Sequence, residues 1–259
     1  MKKKYFGIVA IICITLFYAC ADAKKDETKT TDTTTKKASP QETSTPAEPA
    51  FGIDISVYQG DEVETFTEDT KLQFIICKAT EGVTYTDPKF TENWTTIKEK
   101  GYIRGAYHFY RSNDDPKSQA LFFLDAIKDI RATDIPPVVD VEQSGITQSQ
   151  SVAEIQQSVL QLLQIIEQQS NRIPIIYTNT EFAIDYLNTS EFANYPLWIA
   201  DYTSADEPEV PSVWKEIGYT FWQKSDNYKL DDYTDDADVF NGSADALRKF
   251  IQKTNILIK

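Results

Sequence analysis

"PPVVDVEQ", residues 136–143, closes a short apolar run with two acids, Asp140 and Glu142, on either side of Val141. In an extended chain residues two apart share a face, so the acids look one way while Val139 and Val141 pack the other. A strand that buries its valines and ends in paired carboxyls presents acid chemistry at the edge of a sheet. The pattern recurs, with Asp54 inside "FGIDIS" (residues 51–56) and Asp201 closing "PLWIAD" (residues 196–201).

Further β-branched or aromatic runs read as strands: "FIICKA" (74–79), "IRGAYHF" (103–109), "IPIIYT" (173–178), "YTFWQ" (219–223) and "ADVF" (237–240). They alternate with longer amphipathic stretches, the signature of βα units around a parallel sheet. The clearest helix is "SVAEIQQSVLQLLQIIEQQ", with Val152, Ile155, Val159, Leu162 and Ile166 on one stripe and Ser151 with Glu154 as a capping box. Counting "PVVDVE", the strands suggest an α/β fold closed as a single β/α barrel. A complete eightfold barrel takes about 250 residues, more than Phe51–Lys259 supplies, so the barrel is TIM-like but incomplete. "TSADEPEVPS" (203–212) and "KSDNYKLDDYTDD" (224–236) lack helical period and read as loops, joining the last three strands without full helices.

In β/α barrels the C-terminal strand ends form the face that carries chemistry. A ring of Asp54, Asp140, Glu142 and Asp201 there fits catalysis, although any one of these acids could equally cap a helix or a loop amide. Clustered carboxylates can also hold Mg²⁺ or Ca²⁺, but no phosphate-handling motif accompanies them. With His108 as the single histidine, a His-Glu-x-x-His zinc site is excluded, and no serine elbow supports a triad. Neither metal nor cofactor is expected. Chemistry done by carboxyls alone is led by glycoside hydrolysis, in which one protonated acid assists the leaving oxygen. Two acids on one face push their pKa values apart, which keeps one protonated. Tyr58, Tyr107, Tyr177, Tyr202 and Trp222, at the same strand ends, are candidate platforms for sugar faces, or else packing residues.

The chain of 259 residues carries a formal net charge of −14, which argues against nucleic acid as a partner. Its start, "MKKKYFGIVAIICITLFYAC", combines lysines with a short apolar run and reads as an export signal over residues 1–19. "LFYAC" resembles a bacterial lipoprotein signal, with Cys20 as the acylated residue and membrane anchor. Residues 20–50 hold no large apolar side chain and read as a disordered tether, leaving 51–259 as the catalytic domain. Cys77 in "QFIICKA" then lacks a disulfide partner and reads as core. These features place the protein in the bacterial cell envelope, anchored to a membrane and facing the periplasm or the surface. A monomer is expected.

"FGIDISVYQG", "KATEG" (78–82), "GAYHFY" (105–110), "PVVDVE", "IIYTN" (175–179), "LWIADY", "FWQ" and "VFNG" stand in the order seen in glycoside hydrolase family 25. The chain resembles those muramidases, or lysozymes, from about Phe51 to Phe250. The resemblance implies five regular βα units followed by three further strands. It also implies cleavage of the β-1,4 bond between N-acetylmuramic acid and N-acetylglucosamine in peptidoglycan. Carried over by motif, Glu142 is the general acid, Asp140 orients or stabilises the substrate acetamido group, and Asp54 and Asp201 complete the ring. The route is either substrate-assisted or an inverting attack by water. Family members commonly show Asp-x-Asn before Phe-Asn-Gly, whereas "DADVFNG" has Asp236 and then Asp238, so either of these lines the cleft. Two other readings keep the same cleft: a non-catalytic peptidoglycan-binding lipoprotein, and a hydrolase of other N-acetylglucosamine polymers.

Overall fold

A computed structural model describes residues 48–66, 71–147, 149–230 and 233–255. The expected export signal, Cys20 and nearly all of the tether lie outside the described residues. Ala50 is buried and belongs to the fold, its amide donating to the Gly242 carbonyl at 2.8 Å.

In chain order the elements are β1 (Phe51–Ile55), α1 (Glu62–Thr65), β2 (Phe74–Glu81), β3 (Tyr85–Thr86), α2 (Phe90–Glu99), β4 (Ile103–Phe109), α3 (Pro116–Ala126) and β5 (Val138–Asp140). There follow α4 (Val152–Ser170), β6 (Ile175–Asn179), α5 (Thr180–Tyr186), β7 (Leu197–Ala200), β8 (Phe221–Leu230), β9 (Tyr233–Phe240) and α6 (Ala244–Lys253). The sheet runs β1-β9-β8-β7-β6-β5-β4-β2-β3, and pairing of β1 with β2 closes all but β3 into a barrel. Pairs from β1 through β2, β4, β5, β6 and β7 to β8 are parallel, while β9 is antiparallel to both neighbours. Five βα units and three further strands are therefore present, as expected.

Two local expectations change. "KSDNYKLDDYTDD" is not a loop, because β8 and β9 extend through it as a hairpin with Lys229 opposite Thr234 and Leu230 opposite Tyr233. Backbone pairing holds this ribbon despite its polar surface, and Tyr228 anchors it edge-on against Phe51 at 5.3 Å. In α4 the Ser151–Glu154 capping box forms and Ile155, Val159, Leu162 and Ile166 are buried, but Val152, in the first turn, is exposed.

The strands sort their side chains into two layers. Outward residues such as Ile53, Cys77, Val139, Val141, Ile176 and Ile199 form one apolar cluster with the helices, including the α4 stripe. Inward residues Phe74, Val138, Ile175, Phe221 and Phe240 form a second cluster that plugs the barrel at the N-terminal ends of its parallel strands. Gly52 is required there, since a β-carbon at that position would meet the Phe74 ring at 2.4 Å. With the lower half filled by hydrocarbon, polar side chains pointing inward gather at the C-terminal mouth and just beneath it.

Candidate active site

Asp140 is the last residue of β5, and its carboxyl follows Val138 on the inward face. The chain stays extended at Glu142 (φ −134°, ψ 165°), so alternation continues past the strand and brings Glu142 to the same side. Two backbone bonds fix this segment: Tyr110 N–H donates to Asp140 O, and Val141 N–H to Tyr177 O, each at 2.9 Å. Gly145 lets the following loop fold back, because a β-carbon there would lie 2.2 Å from the Tyr110 carbonyl oxygen.

Across the mouth, Asp54 of β1 pairs in register with Asp236 of β9. Asp54, Asp140, Glu142 and Asp236 line a cavity of about 90 Å³ together with Tyr107 and Tyr177. Trp198 and Gln223 complete its wall. Gln223 donates its amide N–H to Asp54 Oδ2 at 2.6 Å, while its carbonyl oxygen accepts the hydroxyls of Tyr177 at 2.8 Å and Tyr202 at 2.7 Å. Those two phenols fix which way the amide points.

Every acid in this cavity is raised above its ordinary range, with burial the first cause in each. Asp54 is raised by burial and then by the charge of Asp236. Asp236, nearer solvent, is pushed up to about 6. Burial raises Glu142, whereas the repulsion within the Asp140–Glu142 pair falls on the deeper Asp140 and holds it well above the usual carboxylate range. Within the pair the neighbour's charge thus acts on Asp140, while Glu142 is half-buried, keeps a Ser144 hydroxyl at 3.4 Å and lies within the field of Lys78. Lys78 is itself tied to Glu81 at 2.6 Å.

A wider groove of about 480 Å³ adjoins the cavity, sharing Glu142 and Tyr177 with it and adding Asn179, Glu181, Asp201 and Tyr202. Asp201 is therefore beside the acid cluster rather than within it, and its Oδ2 accepts the Glu209 amide at 2.7 Å, which secures the loop after β7. Asp236 lines the cavity, while Asp238 lies buried below, its Oδ1 accepting Trp198 Nε1–H at 2.8 Å. Tyr58 is 92% exposed on a 3₁₀ turn and borders neither cavity nor groove.

Trp222 is not a sugar platform. It is buried in the outer cluster, donating its indole N–H to the Asp201 carbonyl at 2.7 Å, with the Lys224 ammonium over its ring. Phe221 and Gln223 take the inward face of β8, so the residue between them must point out. The sequence does not mark Gln223 and Trp198 as site residues. Their signal is parity, which "YTFWQ" and "PLWIAD" conceal by being apolar on both faces. His108 is remote from this chemistry: it contacts Thr80 Oγ1 at 2.8 Å and Gln119 Oε1 at 3.2 Å, and burial lowers it to about 4.

A closed barrel of mostly parallel strands whose mouth gathers desolvated carboxyls and tyrosines places the chain among the β/α barrels. More narrowly, the chain belongs to glycosyl hydrolases family 25, which residues 53–233 match. It is 35% identical over 183 residues to the uncharacterized protein YegX of Escherichia coli strain K12, covering 70% of this chain and 64% of YegX. It thus spans less than two thirds of that relative. Lysozyme M1 of Streptomyces globisporus is 30% identical over 219 residues, covering 78% of this chain and 71% of that protein. Among solved structures, muramidase from Acremonium alcalophilum superposes with a TM-score of 0.68 at 30% identity, covering 79% of this chain and 99% of that one.

Proposed function

We propose that this protein is an N-acetylmuramidase that hydrolyses the β-1,4 bond between N-acetylmuramic acid and N-acetylglucosamine in peptidoglycan. Family membership supports the reaction class, and relatives named lysozyme and muramidase support the substrate. The observation that carries the assignment of roles is the position of Glu142, half-buried where the deep cavity and the open groove meet.

A glycan strand lying in the groove brings its glycosidic oxygen to Glu142, the one member of the acid pair that borders both spaces. Desolvation keeps that carboxyl protonated further toward neutral pH than an ordinary glutamate, as a general acid requires. Asp140, one position deeper, orients the acetamido group of the bound sugar. Asp54 forms the floor with Gln223, and Tyr107, Tyr177 and Tyr202 offer rings and hydroxyls to the sugar. Mass spectrometry of products released from purified sacculi tests the reading. Muropeptides with N-acetylmuramic acid at the new reducing end are expected, and N-acetylglucosamine at that end, or no release, would refute it.

The envelope location forms part of the same proposal and is supported by the lysine-rich, apolar start ending at Cys20. Cys20→Ser is expected to move the protein from the membrane fraction to the soluble one with hydrolysis intact. Unchanged membrane association would remove the lipid anchor from the account.

A further inference from the structure

Asp238 is fully buried beneath the cleft floor, with Gly52 of β1 and Gln223 of β8 as its cross-strand neighbours. Its Oδ1 accepts the Trp198 indole N–H, but its Oδ2 has no N–H or hydroxyl donor among the described residues. Register sets Asp238 opposite Gly52 and Asp236 opposite Asp54, so Asp238 and Asp54 are diagonal neighbours on the inward face, their carboxyls close enough to interact. Ionised carboxylates only accept, so that contact requires a proton between the two groups.

The surroundings decide where the proton sits. Asp54 borders the cavity and already accepts Gln223 Nε2–H at 2.6 Å, with the amide's orientation locked by Tyr177 and Tyr202. Asp238 lines neither the cavity nor the groove and is fully buried. We propose that Asp238 is a positioning residue that carries a structural proton and donates it to Asp54, so that Asp238 and Gln223 together hold Asp54 as an oriented carboxylate under the bound sugar.

The charged groups facing Asp238 are Asp54 on β1 and Asp236 on its own strand, both acids, while β7 and β8 contribute the neutral Trp198 and Gln223. Burial, and then Asp54, push the Asp238 carboxyl well above its ordinary range, which agrees with a proton held at neutral pH. Burial and the Asp236 charge raise Asp54, and donation from Gln223 and Asp238 acts against both; an anion fixed by two donors is directed at the positive charge that develops at an oxocarbenium-like centre. This role rests on the muramidase reading, but the proton itself does not.

Asp238→Asn keeps a donor toward Asp54, and Asp238→Leu removes it. On the full-length protein, the infrared difference between wild type and D238N at pH 7 should show loss of a protonated-carboxyl band. Wild-type folding takes up this proton from an unfolded chain whose aspartates ionise near pH 4, so wild-type stability falls as pH rises above about 4. The urea midpoint of D238N should therefore exceed that of wild type by a margin that opens above pH 4 and closes below it. With sacculi as substrate, D238N should retain most of kcat, whereas D238L should lose about 10²-fold in kcat with KM little changed, as misplacement of a reacting group does. No band, a pH-independent stability margin, or D238N as impaired as D238L would each overturn the proposal. Should D238L fail to fold, the band and the D238N margin still decide. Should wild type release nothing from sacculi, the functional reading fails while those two measurements stand.

Discussion

The inward and outward faces of the same strands are one peptide unit apart and have opposite physical chemistry. On β5 and the residues after it, Val139 and Val141 join the apolar cluster beneath the helices, while Asp140 and Glu142 turn into the mouth. On β8, Trp222 fills the outer layer and Gln223 holds Asp54. The outward residues stabilise by leaving water. The inward acids are desolvated, and Lys78, itself tied to Glu81, only partly offsets that burial for Asp140 and Glu142, a cost the fold carries at the mouth. On the proposed function, chemistry and stability are divided by strand parity, and the division can be tested by substitutions on each face.

The largest expected effect falls on the inward face. Glu142→Gln removes the proton donor but keeps shape and hydrogen-bonding capacity, so release from sacculi should drop by about 10²- to 10⁴-fold. The folded state should be unharmed, because a raised carboxyl is a burden on stability at neutral pH rather than a support. Circular dichroism and turnover, measured on the same preparation, check both halves. Near wild-type turnover would return Glu142 to a strand-end residue with no catalytic part.

The outward face should respond in the opposite way. Trp222→Ala empties a buried site in the outer cluster and leaves the Asp201 carbonyl without its indole donor, so unfolding free energy should fall by about 3–5 kcal/mol. Well below the melting temperature kcat and KM should stay near wild type. A large rise in KM with unchanged stability would put Trp222 back in the binding groove and break the parity argument on β8.

Legibility in the sequence follows the same division. "PVVDVE" discloses its two faces because valines and acids alternate, so Asp140 and Glu142 pair from residue order alone. "YTFWQ" cannot be parsed this way, since Phe221 and Trp222 are both apolar and both buried, and only barrel closure says which looks in. Asp236 and Asp238 share a parity, so residue order does not rank them. Their depth depends on where Phe240 and Phe221 plug the barrel, a contact between separate strands with rings 5.2 Å apart. The hairpin is hidden because its ladder is made by backbone groups while its side chains remain polar.

The smallest effect offers the finest test of whether the mouth is a desolvated acid cluster. Asp236 is pushed up to about 6 by burial first and then by Asp226, Asp235 and Glu142. A carboxyl whose folded pKa lies above its unfolded one contributes stability that is fully present below the unfolded value, and that contribution is lost as pH rises through the folded value. Asp236→Asn should therefore match wild type near pH 4 and surpass it by pH 8. The full shift would correspond to about 3 kcal/mol at 1.4 kcal/mol per pKa unit, but Asp236 is only half-buried and solvent screens part of it, so a gain of about 1 kcal/mol is expected. Urea midpoints across that pH range measure it. Equal midpoints throughout would show that Asp236 is hydrated and outside the coupled set. A loss at pH 8 would mean that it is held as an anion by a cation, and the contrast between the two faces would then fail on β9.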